Sequence, residues 1–455
     1  MNTTQSDGLV FFGATGDLAY KQIFPALQAL VRRGRLSMPI VAIGRKPLGK
    51  DALVDRAKKS LAANGGVDGP AFDTLARELN YVAVDYDDPA TFKDIRSALG
   101  DAKHPLHYVA LPPDLFEKVA ANLASAGLAK GARLVLEKPF GHDAASAKAL
   151  SQALYAFFPE ESIFRIDHYL GKETVENIVY FRAANPLFEA SFHRDRIESV
   201  QITMAETFGV KGRAAFYDAV GAIRDVVQNH MLEVVACLAM ELPDQRGHEA
   251  LREGRSRLLA QVRAVAPRDV VRGQVRGYQN EDGVKKGSTT ETFAVLRVAI
   301  GGPRWEGVPF FIRAGKSLAV TATEAIVTWK PAPHPVLDQP DPPARNRLRF
   351  RLGPDAAIAL GANVKTAGEP MTGEAKELEL RRSFPHEIKP YDRLLGDAMS
   401  GTASLFAGKE AAEHAWRIVE GVLDDATPVR MYEAGSWGPA EANTIAPEGG
   451  WINPA

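Results

Sequence analysis

Leu9-Val10-Phe11-Phe12-Gly13-Ala14-Thr15-Gly16-Asp17-Leu18-Ala19 is the stretch that decides the fold. Four apolar residues in a row, with no polar face, suit a strand covered on both sides. The run feeds straight into two glycines, and a helix-length amphipathic segment follows at Gln22–Arg33. A turn this tight needs residues without bulky side chains, so that backbone N–H groups can approach a pyrophosphate. The helix N-terminus behind it adds a favourable dipole. The spacing is G-x-x-G-x-x-A, with Ala19 small enough for close helix–strand packing. Gly13, Ala14, Thr15, Gly16, Asp17 and Leu18 are therefore the candidate dinucleotide-binding turn. An ordinary tight strand–helix turn is the plain alternative.

Outward from that turn, short apolar runs recur at Ile40–Ile43, Tyr81–Val84, Tyr108–Leu111, Leu134–Leu136 and Ile163–Ile166. Amphipathic segments of helix length lie between them at Asp51–Ala63, Asp114–Ala126 and Ala144–Phe157. Strands alternating with helices predict an α/β, Rossmann-like, doubly wound parallel sheet over residues 1–172. From about residue 175 the pattern changes. Long helical stretches at Ala219–Met240 and Glu249–Ala266 precede strand-like runs at Thr292–Ala299, Phe310–Arg313, Ala325–Trp329, Arg347–Leu352 and Leu378–Leu380. Residues 173–455 are expected to form an α+β domain with helices and a large, mainly antiparallel sheet. Pro331–Pro343 reads as a loop, and Ala403–Leu423 as a late helix.

The second strand ends in Ile43-Gly44-Arg45-Lys46. A fold preferring NAD usually puts Asp or Glu there, against the ribose 2′-hydroxyl. Arg45 and Lys46 suit a 2′-phosphate instead, so NADP is the expected cofactor and NAD the second choice. Two exposed basic residues in a turn are the plainer reading.

Bulk properties exclude several classes. A chain of 455 residues exceeds one ordinary core, in line with two domains. No run of about 18 apolar residues exists to span a bilayer. Met1–Gly8 is polar and lacks the basic and apolar regions of a signal peptide. The single cysteine, Cys237, excludes an internal disulfide framework and fits a reducing cytoplasm, the expected location. With 55 basic against 56 acidic residues, no basic field calls for nucleic acid. No membrane partner and no metal are expected either.

Three later stretches carry chemistry. In Glu137-Lys138-Pro139-Phe140-Gly141, Lys138 stands at a strand end, placed for both a nicotinamide and a substrate, and Pro139 is a candidate cis residue. Arg165-Ile166-Asp167-His168-Tyr169-Leu170-Gly171-Lys172-Glu173 gathers a carboxylate, an imidazole, a phenol and an ammonium around one glycine. A His and a Lys four residues apart offer a dianionic phosphate a ring N–H and a point charge. In isolation the same residues read as a solvated loop with an ion pair. His230 lies on an apolar helical stripe with Val227 and Val234, a setting that usually means a core histidine. Asp225 on the same helix and Glu206-Thr207-Phe208-Gly209 upstream favour a polar pocket edge. A histidine oriented by a carboxylate is a competent general base near neutral pH.

Taken in order, Gly13–Ala19, Glu137–Gly141, Arg165–Glu173, Glu206–Arg213, Arg224–His230, Lys286–Phe293 and Val308–Lys316 resemble the glucose-6-phosphate dehydrogenase family over essentially the whole chain. Ala415-Trp416-Arg417 and Gly435-Ser436-Trp437-Gly438-Pro439 match how that family ends. The resemblance implies oxidation of D-glucose 6-phosphate to 6-phospho-D-glucono-1,5-lactone with reduction of NADP, the first step of the pentose phosphate pathway. It implies His230 as the general base and Asp167 as the carboxylate that orients it. His168, Tyr169 and Lys172 fall on phosphate-holding positions, and Glu206 and Asp225 on groups that bond the sugar hydroxyls. Lys138 matches a lysine shared by cofactor and substrate, Lys316 a further substrate-site lysine, and Gly13–Ala19 with Arg45 the NADP site. A homodimer or homotetramer, joined through the antiparallel sheet, is implied as well.

Three departures from the family pattern stand out. Thr321 replaces a basic residue that helps with the phosphate, a loss of about 1.5–3 kcal/mol for a charge-assisted hydrogen bond. Tyr20-Lys21-Gln22 follow Gly-Asp-Leu-Ala where relatives carry basic residues, and Pro331–Glu377 is diverged and Pro-rich. The rival readings are a dehydrogenase of the Gfo/Idh/MocA type, a same-fold enzyme preferring another aldose phosphate or a free sugar, and a catalytically inactive regulatory paralogue. Arg165–Glu173 and Arg224–His230 argue against the first, and retention of Asp167, His168, Lys172 and His230 against the last.

Overall fold

Gly8–Phe12 forms the strand β1, and all of its residues are buried. Alternation along the strand sends Leu9 and Phe11 into one core, with Phe24, Leu27 and Leu30. Val10 and Phe12 enter a second core, with Val119 and Leu123. Phe11 meets Phe24 edge-on at 5.7 Å, so the strand and the helix after the turn are clamped together. The computed structural model describes residues 4–245, 247–331, 343–369, 372–381 and 388–455.

The chain divides into two compact units, the first comprising Met1–Glu173, Pro243–Glu253 and Glu387–Glu413. In it, β1 is joined by the parallel strands β2 (Ile40–Gly44), β3 (Leu79–Ala83), β4 (Pro105–Val109), β5 (Arg133–Leu136) and β6 (Ile163–Ile166). Helices α1 (Phe24–Arg32), α2 (Lys50–Ala63), α3 (Gly69–Glu78), α4 (Lys93–Leu99), α5 (Phe116–Ser125) and α6 (Ala144–Tyr155) connect them. The spatial order β6-β5-β4-β1-β2-β3 reverses direction between β1 and β4. That switch point opens a crevice at the carboxyl ends of the strands, where a doubly wound sheet takes its ligand. The doubly wound, Rossmann-like expectation is met.

The second unit, Thr174–Leu242, Gly254–His386 and His414–Ala455, is built on one sheet. Its strands are β7 (Ile197–Ala205), β8 (Val270–Val275), β9 (Phe293–Ala299), β10 (Pro309–Gly315), β11 (Ala322–Trp329), β12 (Arg347–Gly353), β13 (Ala357–Lys365) and β14 (Gly373–Arg381). The later strands are β15 (Phe406–Ala407) and β16 (Val429–Tyr432). The order is β14-β13-β12-β11-β7-β10-β9-β8-β16, antiparallel except where β10 meets β7 and β16 meets β8. β15 belongs to the first unit, where it pairs antiparallel with β6, Phe406 opposite Ile166.

Several expectations change. Ala219–Met240 is not one α-helix: i→i+5 bonding spans Ile223–Met231 before an α-helix at Leu232–Ala239. Ala403–Leu423 opens with β15 and becomes helical only at Lys409–Val419, after Gly408 breaks the pattern. β7 was not among the expected strands, although Val200, Ile202 and Met204 alternate with Ser199, Gln201 and Thr203; both sets are buried. Of the loop expected at Pro331–Pro343, residues 332–342 lie outside the described residues, and the stretch beyond it forms β12, β13 and the start of β14. Among the described residues no helix is long and apolar enough to cross a membrane.

Candidate active site

The turn after β1 is shaped for an anion. Gly13 adopts φ +80°, and a Cβ there would run into the Ala110 carbonyl oxygen beyond β4. A Cβ on Gly16 would sit 3.1 Å from the Gly13 oxygen, the atom to which the Gly16 N–H donates at 2.9 Å. Helix begins at Asp17 and runs through an i→i+5 stretch, Ala19–Ile23, into α1. A bare backbone turn at a helix N-terminus fits a dinucleotide pyrophosphate. Arg45 and Lys46 are exposed at the end of β2. Burial pushes the Tyr86 phenol up to about 12, against a smaller opposing pull from the Arg45 charge. Tyr81 fixes the same turn by donating to the Lys46 carbonyl at 2.6 Å.

Lys138 follows β5, and the Lys138–Pro139 bond is cis. Beside it the phenols of Tyr108 and Tyr391 both hydrogen-bond the buried Glu137 carboxylate. Burial pushes Glu137 up to about 7, against the opposing pull of the two phenols and of Lys138.

Asp167 closes β6. It is 3% exposed, and its Oδ1 accepts the Tyr169 N–H at 2.9 Å. Leu170 N–H donates to the Asp167 carbonyl and Lys172 N–H to the Tyr169 carbonyl, both at 3.0 Å, so residues 167–172 coil into consecutive turns. The Lys172 ammonium stands 3.7 Å from the centroid of the buried Tyr169 ring, and the His168 ring lies 5.4 Å from that ring. Arg165 is occupied elsewhere; buried, it donates to both Glu160 oxygens at 2.9 Å. The helix Pro390–Ser400 braces the turn from behind. Arg393 Nη1 donates to the Gly171 carbonyl at 3.1 Å, and a Cβ on Gly171 would meet Leu394 at 3.0 Å.

In the second unit, Lys316 Nζ donates to Glu206 Oε2 at 2.5 Å and lies 5.1 Å from the Phe208 ring centroid and 5.3 Å from that of Tyr217. The Tyr217 phenol is pushed well above its ordinary range by burial first, then by the negative charges of Asp225, Glu291 and Glu206. Glu206, Lys316, Asp225 and Tyr217 therefore converge. Ser317, beside Lys316, holds φ +52°, a strained conformation for a serine. His230 is 1% exposed at the far end of the Ile223–Met231 stretch. With i→i+5 bonding over Ile223–Met231, residues four to five apart lie one turn apart on the same side, which brings Asp225 onto the side of His230. The Asn229 side chain, through Nδ2, donates to the Arg224 carbonyl at 3.0 Å. Thr321 does not point a bare hydroxyl at solvent. Its Oγ1 accepts the Thr207 N–H at 3.0 Å and lies 2.8 Å from the Thr207 hydroxyl.

The first unit thus collects Gly13–Leu18, Arg45, Lys138, Asp167, His168, Tyr169 and Lys172 at the carboxyl ends of parallel strands, and the second collects Glu206, Asp225, His230 and Lys316. Sequence reasoning missed Tyr217, Glu291 and Tyr391. Glu291 alone gave a signal, as an acidic residue just ahead of β9. Among the described residues no group of three or more His, Cys, Asp or Glu could hold a metal ion.

Residues 10–177 match the family model for the NAD binding domain of glucose-6-phosphate dehydrogenase, and residues 179–451 that for its C-terminal domain. Glucose-6-phosphate 1-dehydrogenase 1 of Mycobacterium tuberculosis is 38% identical over 455 residues, 99% of this chain and 97% of that protein. The crystal structure of glucose-6-phosphate 1-dehydrogenase from Mycobacterium avium is 40% identical and superposes with a TM-score of 0.93 over 99% of each chain. A glucose-6-phosphate dehydrogenase in complex with its substrate glucose-6-phosphate is 31% identical, with a TM-score of 0.90 over 99% of this chain and 100% of that one.

Proposed function

This chain belongs to the glucose-6-phosphate dehydrogenase family, and from that premise we propose how it oxidises D-glucose 6-phosphate to 6-phospho-D-glucono-1,5-lactone. The observation that carries the proposal is the Asp167–Lys172 turn, which puts a buried carboxylate and a cation–phenol stack on one strand end. His168, Tyr169 and Lys172 hold the 6-phosphate. Glu206 and Lys316, an acceptor and a donor already paired, match sugar hydroxyls that both donate and accept, and Asp225 adds a second acceptor. His230 takes the proton of the C1 hydroxyl, and Asp167 orients the ring and stabilises its imidazolium. The bound nicotinamide dinucleotide supplies the acceptor for the hydride that leaves C1. Gly13–Leu18 hold its pyrophosphate, Lys138 serves both cofactor and substrate, and Arg45 with Lys46 favours NADP over NAD.

With Thr321 committed to Thr207, phosphate recognition rests more heavily on Lys172 and His168. Leu378 and Leu380, 67% and 71% exposed on β14, support association into a homodimer or homotetramer through the large sheet. Cytoplasmic residence is supported by a lone, buried, reduced Cys237.

Steady-state rates with both sugars and both cofactors test the assignment. Glucose 6-phosphate should exceed glucose in kcat/KM by orders of magnitude, and a ratio near one would refute the phosphate site. Lys172→Ala should raise KM for glucose 6-phosphate roughly 10- to 100-fold with kcat little changed. His230→Asn should lower kcat roughly 10²–10⁴-fold with little change in sugar binding; near-normal turnover removes it as the base.

A further inference from the structure

One side chain grips the nucleotide turn from behind. Arg56 on α2 donates through Nη2 to the carbonyls of Thr15, at 2.7 Å, and Gly16, at 3.0 Å, and through Nε to that of Ala14, at 3.4 Å. A guanidinium presents rigid donors in one plane and accepts nothing, so it gathers three successive carbonyls onto one side. In a trans peptide the C=O and the next residue's N–H point opposite ways. The N–H groups of Thr15, Gly16 and Asp17 are thereby turned to the other side. Gly16 N–H closes the turn onto Gly13 at 2.9 Å. Those of Thr15 and Asp17 face the side from which an anion approaches.

The grip is itself supported. The Arg56 guanidinium lies 5.2 Å from the centroid of the Tyr20 ring, one turn into the helix that the loop begins. Tyr20 is pinned to α2 in turn: its hydroxyl donates to the Lys59 carbonyl at 3.0 Å, and its own carbonyl accepts from Ser60 Oγ and, at 3.3 Å, from Asn64 Nδ2. Arg56 and Ser60, four residues apart, share one face of α2, and Asn64 caps its end. A basic residue at position 20 would oppose the guanidinium; the tyrosine gives it a platform.

We propose that Arg56 is a positioning residue for the dinucleotide, acting through the backbone of residues 14–16 on the pyrophosphate that NADP and NAD share. Arg45 by contrast acts on the 2′-phosphate that only NADP carries. The inference rests on Gly13–Leu18 being the nucleotide turn.

Titration calorimetry on the full-length protein, without turnover, separates the two roles. Arg56→Ala should weaken NADP and NAD by the same factor, roughly 10- to 100-fold for charge-assisted hydrogen bonds lost. It should leave the dissociation constant for glucose 6-phosphate unchanged, whereas Arg45→Ala should weaken NADP alone. Arg56→Lys, a point donor that cannot span three carbonyls, should fall between Arg56→Ala and the parent. Loss confined to NADP would put Arg56 on the 2′-phosphate and overturn the proposal, as would unchanged affinity for both cofactors. A parallel loss of glucose 6-phosphate binding would mark general loosening and also overturn it. Failure of the parent protein to bind either cofactor would instead refute the nucleotide site itself.

Discussion

A carboxyl group held at about 7 by burial, as in Glu137, binds its proton more tightly folded than unfolded. Below the ordinary value of 4.5 both states are protonated and the group is neutral in its effect. As pH rises from 4.5 to 7 the unfolded chain ionises first, so this residue removes stability on the order of 3 kcal/mol, all of it gone above pH 7. Glu137→Gln removes the titration and keeps an acceptor for a phenol. Urea unfolding across that window should show the parent losing stability relative to the variant as pH rises; parallel curves would show that Glu137 does not titrate there. Sequence reading found Lys138 but not its neighbour's setting. Tyr391 reaches Glu137 from the far side of the chain, and nothing in Glu-Lys-Pro announces two phenols. His168 and Lys172 stand in one nine-residue stretch, so their association with the Tyr169 ring was local enough to read from the sequence.

At the scale of elements, the stretch Ile223–Met231 shows what a side-chain pattern leaves out. Its register depends on an anchor at the start: Ile223 N–H donates to Glu291 Oε1 at 3.0 Å, and Arg272 holds the other oxygen at 2.9 Å. That anchor lies on a separate segment, so a 3.6-residue period was the natural reading of a stretch that bonds i→i+5. Gly221 makes the anchor possible. It adopts φ +69°, and a Cβ there would come within 2.5 Å of Glu291 Oε1. Gly221→Ala should cost about 1–3 kcal/mol and push the carboxylate off the helix start, so kcat should fall as well. An unchanged melting temperature with full activity would show that the cap is dispensable. Strands with two apolar faces, β1 and β2, were read from their unbroken apolar runs; β7, whose buried Gln201 and Thr203 interrupt such a run, was passed over.

At the scale of the whole molecule, the change of pattern near residue 175 is plain in the sequence, but the return of Glu387–Glu413 to the first unit is not. β15 is two residues long, and Pro390–Ser400 looks like any amphipathic helix. Yet Leu394, fully buried, packs against Gly171. Leu394→Ala should cost about 2–5 kcal/mol and also raise KM for glucose 6-phosphate, although residue 394 lies far along the chain from Lys172. A stability loss with KM unchanged would limit the helix to packing. The same arrangement fixes an order of events on the ribosome. The turn Asp167–Lys172 emerges well before the helix that braces it, an interval of roughly 10–40 s at about 5–20 residues per second. Throughout that time β6 is an unprotected sheet edge on a nascent chain, open to mispairing with other chains.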